Sequence, residues 1–162
     1  MGRRQVLRAL AAFSAALFLT AAAPSGLPQA RVQRVIDGDT VVLENGRHVR
    51  LIGINAPEYE PWKKIIQPYG KEAKEFLTRL IDGKTVEIEE DVEKTDKYGR
   101  ALAYLWLPDG RMANVLVVRE GLARARYYKP NGAHRQEFSQ EEKAAKAAQK
   151  GVWSDEHVKI EA

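Results

Sequence analysis

Asn45-Gly46 constrains this chain more tightly than any other local feature. Asn-Gly suits a two-residue hairpin turn, because both positions accept the positive φ that matches the twist of the flanking strands. Val41, Val42 and Leu43 precede it, and an alternating run from about Arg47 to Ile54 follows. Upstream, Val32, Val35 and Ile36 lead into Asp37-Gly38-Asp39-Thr40, which reads as a second turn. The segment RVQRVIDGDTVVLENGRHVRLIGINAPE (31–58) therefore predicts a three-strand meander. It also gathers two acids around Gly38, a cation at Arg50 and a carboxylate at Glu58, a combination that points to a metal-assisted site for a phosphate ester.

The remainder supplies what such a meander needs to close. Tyr59–Tyr69 (YEPWKKIIQPY) carries two prolines and reads as a loop. From Gly70, the spacing of Ala73, Phe76, Leu77, Leu80 and Ile81 predicts a helix, stopped by Asp82-Gly83. Thr85, Val86 and Ile88 open a fourth strand, and Ala101–Leu107 forms a fifth, ending at the Asp109-Gly110 turn. Ala113–Leu122 predicts a short buried helix and Arg135–Lys150 a longer polar one. The order predicts a mainly β, α+β domain: a five-stranded OB-fold barrel with about three helices, an architecture that often presents one face to oligonucleotides. A fold of that kind leaves the chemistry to individual side chains.

Charge and composition narrow the chemistry further. The 162 residues suffice for one well-buried domain. Cysteine is absent, which excludes disulfides, thiolate catalysis and cysteine-held zinc. The net charge of +4 is unevenly spread. Residues 1–30 hold Arg3, Arg4 and Arg8 and no acid; removing these three from the 26 basic residues leaves 23 against 22 acidic ones. Nucleic-acid binding must then arise from local basic patches. The first 23 residues, with Arg3-Arg4 ahead of an apolar run and Ala21-Ala22-Ala23 at its end, read as an export signal. The paired arginines fit the twin-arginine type as well as an ordinary secretory one. The predicted organisation is a signal peptide at 1–23, a linker at 24–30, the domain at 31–155 and a tail at 156–162. The product would be periplasmic or secreted and monomeric, meeting the membrane only if the first segment stayed uncleaved.

VIDGDT, VRLIGINAPE, TDKYGRALAYLW, EGLA and YYKPN, in this order, resemble the thermonuclease (staphylococcal nuclease-like) family over nearly everything after residue 30. That resemblance implies a calcium-dependent phosphodiesterase acting on DNA and RNA, built on an OB barrel and leaving 3′-phosphates. It implies one calcium ion bound by Asp39, by the residue at position 55 and by the Ala56 carbonyl. Glu58 would be the general base, Arg50 and Arg100 would hold the phosphate, and Lys97, Tyr98 and Tyr128 would contact the nucleotide.

Residue chemistry agrees with these assignments and leaves alternatives beside them. Calcium prefers several oxygen ligands in a loose geometry, which Asp37 and Asp39 both offer, while a plain Asp-Gly turn explains Asp37 equally well. Guanidinium forks match phosphate oxygens, but Arg50 also suits an outward strand face, and Arg100 a salt bridge to the acids at Glu87–Glu93. Glu58 follows the rigid Pro57 and could take a proton from water, or be an exposed loop acid. Tyr98 and Tyr128 could stack on bases beside Lys97, with a core role the alternative for Tyr128.

Two positions depart from the family pattern. Asn55 stands where the family usually has Asp, keeping a carbonyl oxygen and losing a negative charge, so calcium binding is expected to weaken. Arg126 stands where the first tyrosine of YxYKPN would be, and Tyr127 should point away from Tyr128 on extended backbone. Trp106 and Trp153 read as core, His134 as structural, the acids at Glu87–Glu93 as a solvated edge, and Lys143, Lys146 and Lys150 as solubilising. The competing function is a non-catalytic nucleic-acid-binding OB module, weakened in metal binding by Asn55; a structural envelope protein anchored by its first segment is a more distant reading.

Overall fold

A computed structural model of the protein describes residues 26–154. The expected signal peptide at 1–23 and tail at 156–162 lie outside the described residues. Five strands close into a barrel: β1 (Gln29–Asp37), β2 (Thr40–Leu43), β3 (His48–Leu51), β8 (Ala101–Trp106) and β7 (Thr85–Glu89), in that order around the wall. Every pairing is antiparallel except β3 with β8. Between them lie β4 (Ile54–Asn55), β5 (Tyr59–Glu60), β6 (Ile65–Ile66) and helix α1 (Gly70–Ile81). After β8 come α2 (Ala113–Arg119), β9 (Arg124–Ala125) and α3 (Arg135–Ala147).

The meander forms with Val41 opposite Val49, but its Asn45-Gly46 hairpin is not the expected two-residue turn: the Leu43 N–H bonds the Arg47 carbonyl across Glu44-Asn45-Gly46, the Gly46 N–H bonds the Leu43 carbonyl, and of Asn45 and Gly46 only the glycine takes a positive φ (81°). Val32, Val35, Val41, Val49, Leu51, Val86, Ala103 and Leu105 are buried, joined by Ala73, Leu77 and Ile81 of α1. Those helical positions are the ones that the spacing selected, and Gly83 at φ 67° follows the helix end. Helix α2 stops at Arg119, three residues short of the predicted Leu122, because Gly121 turns back at φ 69°.

Other predicted boundaries shift where tertiary pairing competes. Strand β1 starts at Gln29, inside the expected linker, because Gln29 and Ala30 pair with Glu87 and Val86. The predicted third strand breaks after Leu51: the turn at Ile52-Gly53, with Gly53 at φ 85°, sends Ile54–Asn55 to pair with β9 instead. The expected loop at Tyr59–Tyr69 contains a small hairpin, with Tyr59 opposite Ile66 around a 3-10 turn at Pro61–Lys63. Proline at the first position of that turn costs no hydrogen bond, so a proline-rich stretch can still be regular.

The acids at Glu87–Glu93 are not simply a solvated edge. Glu89 accepts from Trp106 Nε1 (2.6 Å) and contacts His134 Nε2 (3.0 Å), and Asp91 accepts from the Tyr104 hydroxyl (2.8 Å) and Ala133 N–H (3.1 Å). Burial alone would raise Asp91, yet the bonds from Ala133 and Tyr104 hold its carboxyl below the ordinary range. His134 is structural, packed edge-on to Tyr104. Trp106 is core, whereas Trp153 is only half-buried and lies between Arg124 and Lys146.

Asn114, wholly buried on α2, accepts from Leu105 N–H (3.0 Å) and donates to the carbonyls of Ile52 (2.9 Å) and Ala103 (3.3 Å). It thereby ties α2 to the barrel at the point where the third strand breaks. Asn114→Ala is expected to leave the Leu105 N–H and the Ile52 carbonyl unsatisfied and to cost roughly 2–5 kcal/mol. Urea unfolding of both proteins measures the difference.

Candidate active site

The turn between β1 and β2 brings both aspartates to one side of the barrel end. Asp37 Oδ1 accepts from the Asp39 N–H (3.0 Å), and Asp39 Oδ1 accepts from the Thr40 hydroxyl (3.0 Å). Asp39 Oδ2 accepts from the Ala56 N–H (2.8 Å), so the two ends of the 31–58 segment meet at this carboxylate. Gly38 is needed for space: a Cβ there would lie 2.6 Å from the Cβ atoms of both Ala56 and Ala73. That requirement comes from packing against α1 and was invisible in the local turn chemistry.

Arg50 leans from β3 into the same corner. One Nη donates to the carbonyls of Leu51 (3.0 Å) and Ile54 (3.1 Å); the other lies 2.9 Å from Asp39 Oδ2 and 3.3 Å from the Asn55 amide oxygen. Arg50 is thus no solvated strand residue; it holds the turn that ends the meander and sets Asn55 beside Asp39. Burial pushes the Asp39 carboxyl up, to about 7, against the pull of Arg50 and with the help of the Asp37 charge. A buried acid pair with one guanidinium for a counter-charge is short of positive charge.

The site residues offer only oxygens to a cation. Among the described residues no three His, Cys, Asp or Glu side chains converge into a metal cluster. The Asp39 carboxylate, the Asn55 amide and the Ala56 carbonyl therefore suit a hard ion that completes its shell with water, as calcium does. Asp37, whose Oδ1 accepts from the Asp39 N–H in the turn, adds negative charge beside this donor set.

Glu58 stands on the loop after β4, held through its backbone. Its N–H donates to the Gln67 side chain (2.8 Å), and its carbonyl accepts from the Gln67 N–H (3.0 Å). A Cβ at Gly70 would lie 2.5 Å from that carbonyl oxygen, so helix α1 can start against the Glu58 loop only with glycine there. Partial burial raises the Glu58 carboxyl above its ordinary value, aided by the charges of Asp37 and Glu60 and opposed by Arg50 and Arg100. Glu58 is thus within electrostatic reach of Asp37, Arg50 and Arg100, although its carboxylate bonds none of them.

A cleft of about 500 Å³ opens beside this corner, lined among others by Arg50, Lys97, Tyr98, Arg100, Tyr128 and Asn131. Arg100 Nε donates to Asp96 (2.7 Å), not to the acids at Glu87–Glu93, and its guanidinium sits 5.5 Å from the Tyr98 ring centre. Asp96 also accepts from the Tyr98 and Arg100 N–H groups, which shapes the DKYGR turn around its own first residue. Lys97 Nζ lies 5.0 Å from the Tyr98 ring centre. Tyr98 and Tyr128 are exposed, at 72% and 57%, so neither is a core tyrosine.

Sequence reasoning missed Gln67, Asp96 and Asn131. Asn131 donates to the Glu93 carbonyl (2.8 Å) and accepts from its N–H (2.8 Å), tying the loop before Lys97 to the turn after Tyr128. Only Asp96 carried a local sign, as an acid four residues before Arg100.

Comparison with known proteins agrees with this arrangement. Residues 48–155 match the family model described as staphylococcal nuclease homologue. The chain is 38% identical over 149 residues to a thermonuclease of Staphylococcus hyicus, covering 85% of this chain and 88% of that protein. It is 44% identical over 125 residues to a thermonuclease of Staphylococcus intermedius, covering 75% and 74%. An endonuclease of Bacillus subtilis, YncB, is 36% identical over 128 residues, which span 76% of this chain and 60% of that one. With the barrel, the acid pair and the arginine-lined cleft all present, the chain belongs to the family of staphylococcal nuclease homologues.

Proposed function

We propose that this protein is an exported, calcium-dependent nuclease that hydrolyses phosphodiester bonds of DNA, RNA or both. The observation that supports the reading is a cleft that gathers Arg50, Arg100, Lys97, Tyr98 and Tyr128, with the Glu58 carboxyl within electrostatic reach of both arginines. The nuclease class is supported by thermonuclease and endonuclease relatives. Export rests on the residue pattern from Arg3 to Ala23.

Substrate enters the cleft with a base against Tyr98 or Tyr128 and its backbone along Lys97. Arg100 keeps its two Nη groups for the phosphate while Asp96 fixes the Nε side. Arg50 reaches the phosphate most cheaply by giving up its longest contact, the 3.3 Å bond to Asn55. Glu58 takes the proton of the attacking water, whose oxygen bonds to phosphorus as the P–O5′ bond breaks; one product keeps the 3′-phosphate and the other leaves as a 5′-hydroxyl, protonated from solvent. Asp39, Asn55 and the Ala56 carbonyl would hold one calcium ion, whose chemistry is to neutralise phosphate charge and acidify water.

A non-catalytic nucleic-acid-binding module remains the second reading, favoured by the Asn55 oxygen being already engaged by Arg50. Digestion of single-stranded DNA with calcium, with chelator and with Glu58→Gln separates the two. Calcium-dependent cutting that falls at least about 10²-fold in the variant is expected; tight binding without cutting by the wild type would favour the module.

Two further outcomes follow from the charges. Because the Glu58 carboxyl is raised and must be ionised to accept a proton, kcat/KM should fall with decreasing pH at values above the ordinary glutamate range; a pH–rate profile reads this. Asn55→Asp restores a negative charge next to Asp39, so calcium titration should show tighter binding than wild type, and equal affinities would contradict the assignment of position 55 as a ligand.

A further inference from the structure

Tyr127 points away from the cleft, but not into solvent alone. It lines a second cavity of about 210 Å³ together with Gly53, Arg126, Asn131, Gly132 and Arg135. Gly53 and Asn131 line both cavities, so the two share a rim. The consecutive tyrosines thus line different cavities, Tyr128 the cleft and Tyr127 the second one.

The chemistry of this cavity matches that of the cleft. The Arg135 guanidinium lies 4.5 Å from the Tyr127 ring centre, a flat cationic surface backed by an aromatic one. Arg126 lies 5.7 Å from the Tyr128 ring centre and lines the second cavity, so it stands at the divide. Among the described residues neither guanidinium has a carboxylate within 4 Å, whereas Arg50, Arg100, Arg111 and Arg119 all do. The one acid lining the cavity, Glu142, is committed to the Ala125 N–H (2.9 Å) and to Lys146 (2.9 Å). Gly132 lets the Tyr127 ring close in: a Cβ there would lie 2.6 Å from Cε2. Two unpaired guanidiniums and an aromatic ring around a base-sized space are a recognition set for a nucleotide, since bases stack on aromatic rings and on guanidinium planes alike.

We infer that this second cavity is a nucleotide subsite for single-stranded polynucleotide: it takes the base of a nucleotide neighbouring the one in the cleft, on the Tyr127–Arg135 pair, while Arg126 holds the phosphate that crosses the rim. The subsite rests on the nuclease reading for its substrate class, and it gives the Arg126 departure a positive role. It also implies that the protein favours chains long enough to span both cavities over the shortest substrates.

Binding of fluorescein-labelled, uncleavable phosphorothioate oligonucleotides tests the subsite separately from catalysis. Affinities of wild type, Tyr127→Leu and Arg135→Gln are compared for an octamer and for a dinucleotide whose single phosphodiester occupies the Arg50–Arg100 site. Both variants should lose roughly tenfold on the octamer, a size typical of one stacked base, with a much smaller loss on the dinucleotide. Arg135 is exposed, so its variant stays informative even if Tyr127→Leu unfolds. An unchanged octamer affinity in Arg135→Gln, or equal losses at both lengths, overturns the proposal. Failure of wild type to cut an unmodified octamer would overturn the nuclease reading instead, and the length-dependent binding would stand.

Discussion

Four acceptors converge on the two Nη groups of Arg50: the Leu51 and Ile54 carbonyls, the Asp39 carboxylate and the Asn55 amide. Two of them are backbone groups at a place where the third strand has stopped pairing and its carbonyls need donors. The side chain therefore closes the meander and neutralises the buried acid at the same time. Removing one partner from such a buried pair strands the other charge, a loss of roughly 3–5 kcal/mol. Arg50 substitutions consequently disturb the fold at this corner, whereas Arg100 is held by Asp96 within the DKYGR turn.

This double duty explains how the acid pair persists. Asp39 is nearly covered and has Asp37 beside it, a combination that disfavours two ionised carboxylates. The Ala56 N–H, the Thr40 hydroxyl and Arg50 offset only part of that cost. The corner is thus built in a charge state that a hard cation would relieve, at the expense of stability in its absence.

The meander, α1 and the cleft residues were legible because their signals are local: a turn pair, a 3.6-residue spacing, and short segments such as DKYGR and GINAPE. Asp39 could be singled out from Asp37 by family pattern, but the bond from the Asp39 N–H to the Asp37 carboxylate needed the folded turn. What stayed hidden were contacts across long separations. Gln67 holds Glu58 from nine residues away, Asn114 reaches Ile52 across 62, and Asn131 reaches Glu93 across 38. An amide side chain carries no periodicity that marks it for such work. The acids at Glu89 and Asp91 misled for the same reason: their partners, His134 and Ala133, arrive from the far end of the domain. The split after Leu51 is marked by a change of phase, since Val49 and Leu51 are buried on odd positions and Ile52 and Ile54 on even ones, but the unbroken apolar run hides it.

Asn131 grips both the N–H and the carbonyl of Glu93, in the manner of one more rung between two strands. The loop leading to Lys97 and the turn following Tyr128 are therefore opposite jaws riveted at a buried point, with the Asp91–Ala133 bond beside it. Jaws joined this way cannot spread independently, so the aperture is set when the chain folds and little ordering is left for the moment of capture. A ligand of the right thickness meets a gap already cut to size, and a thicker one must first break the rivet.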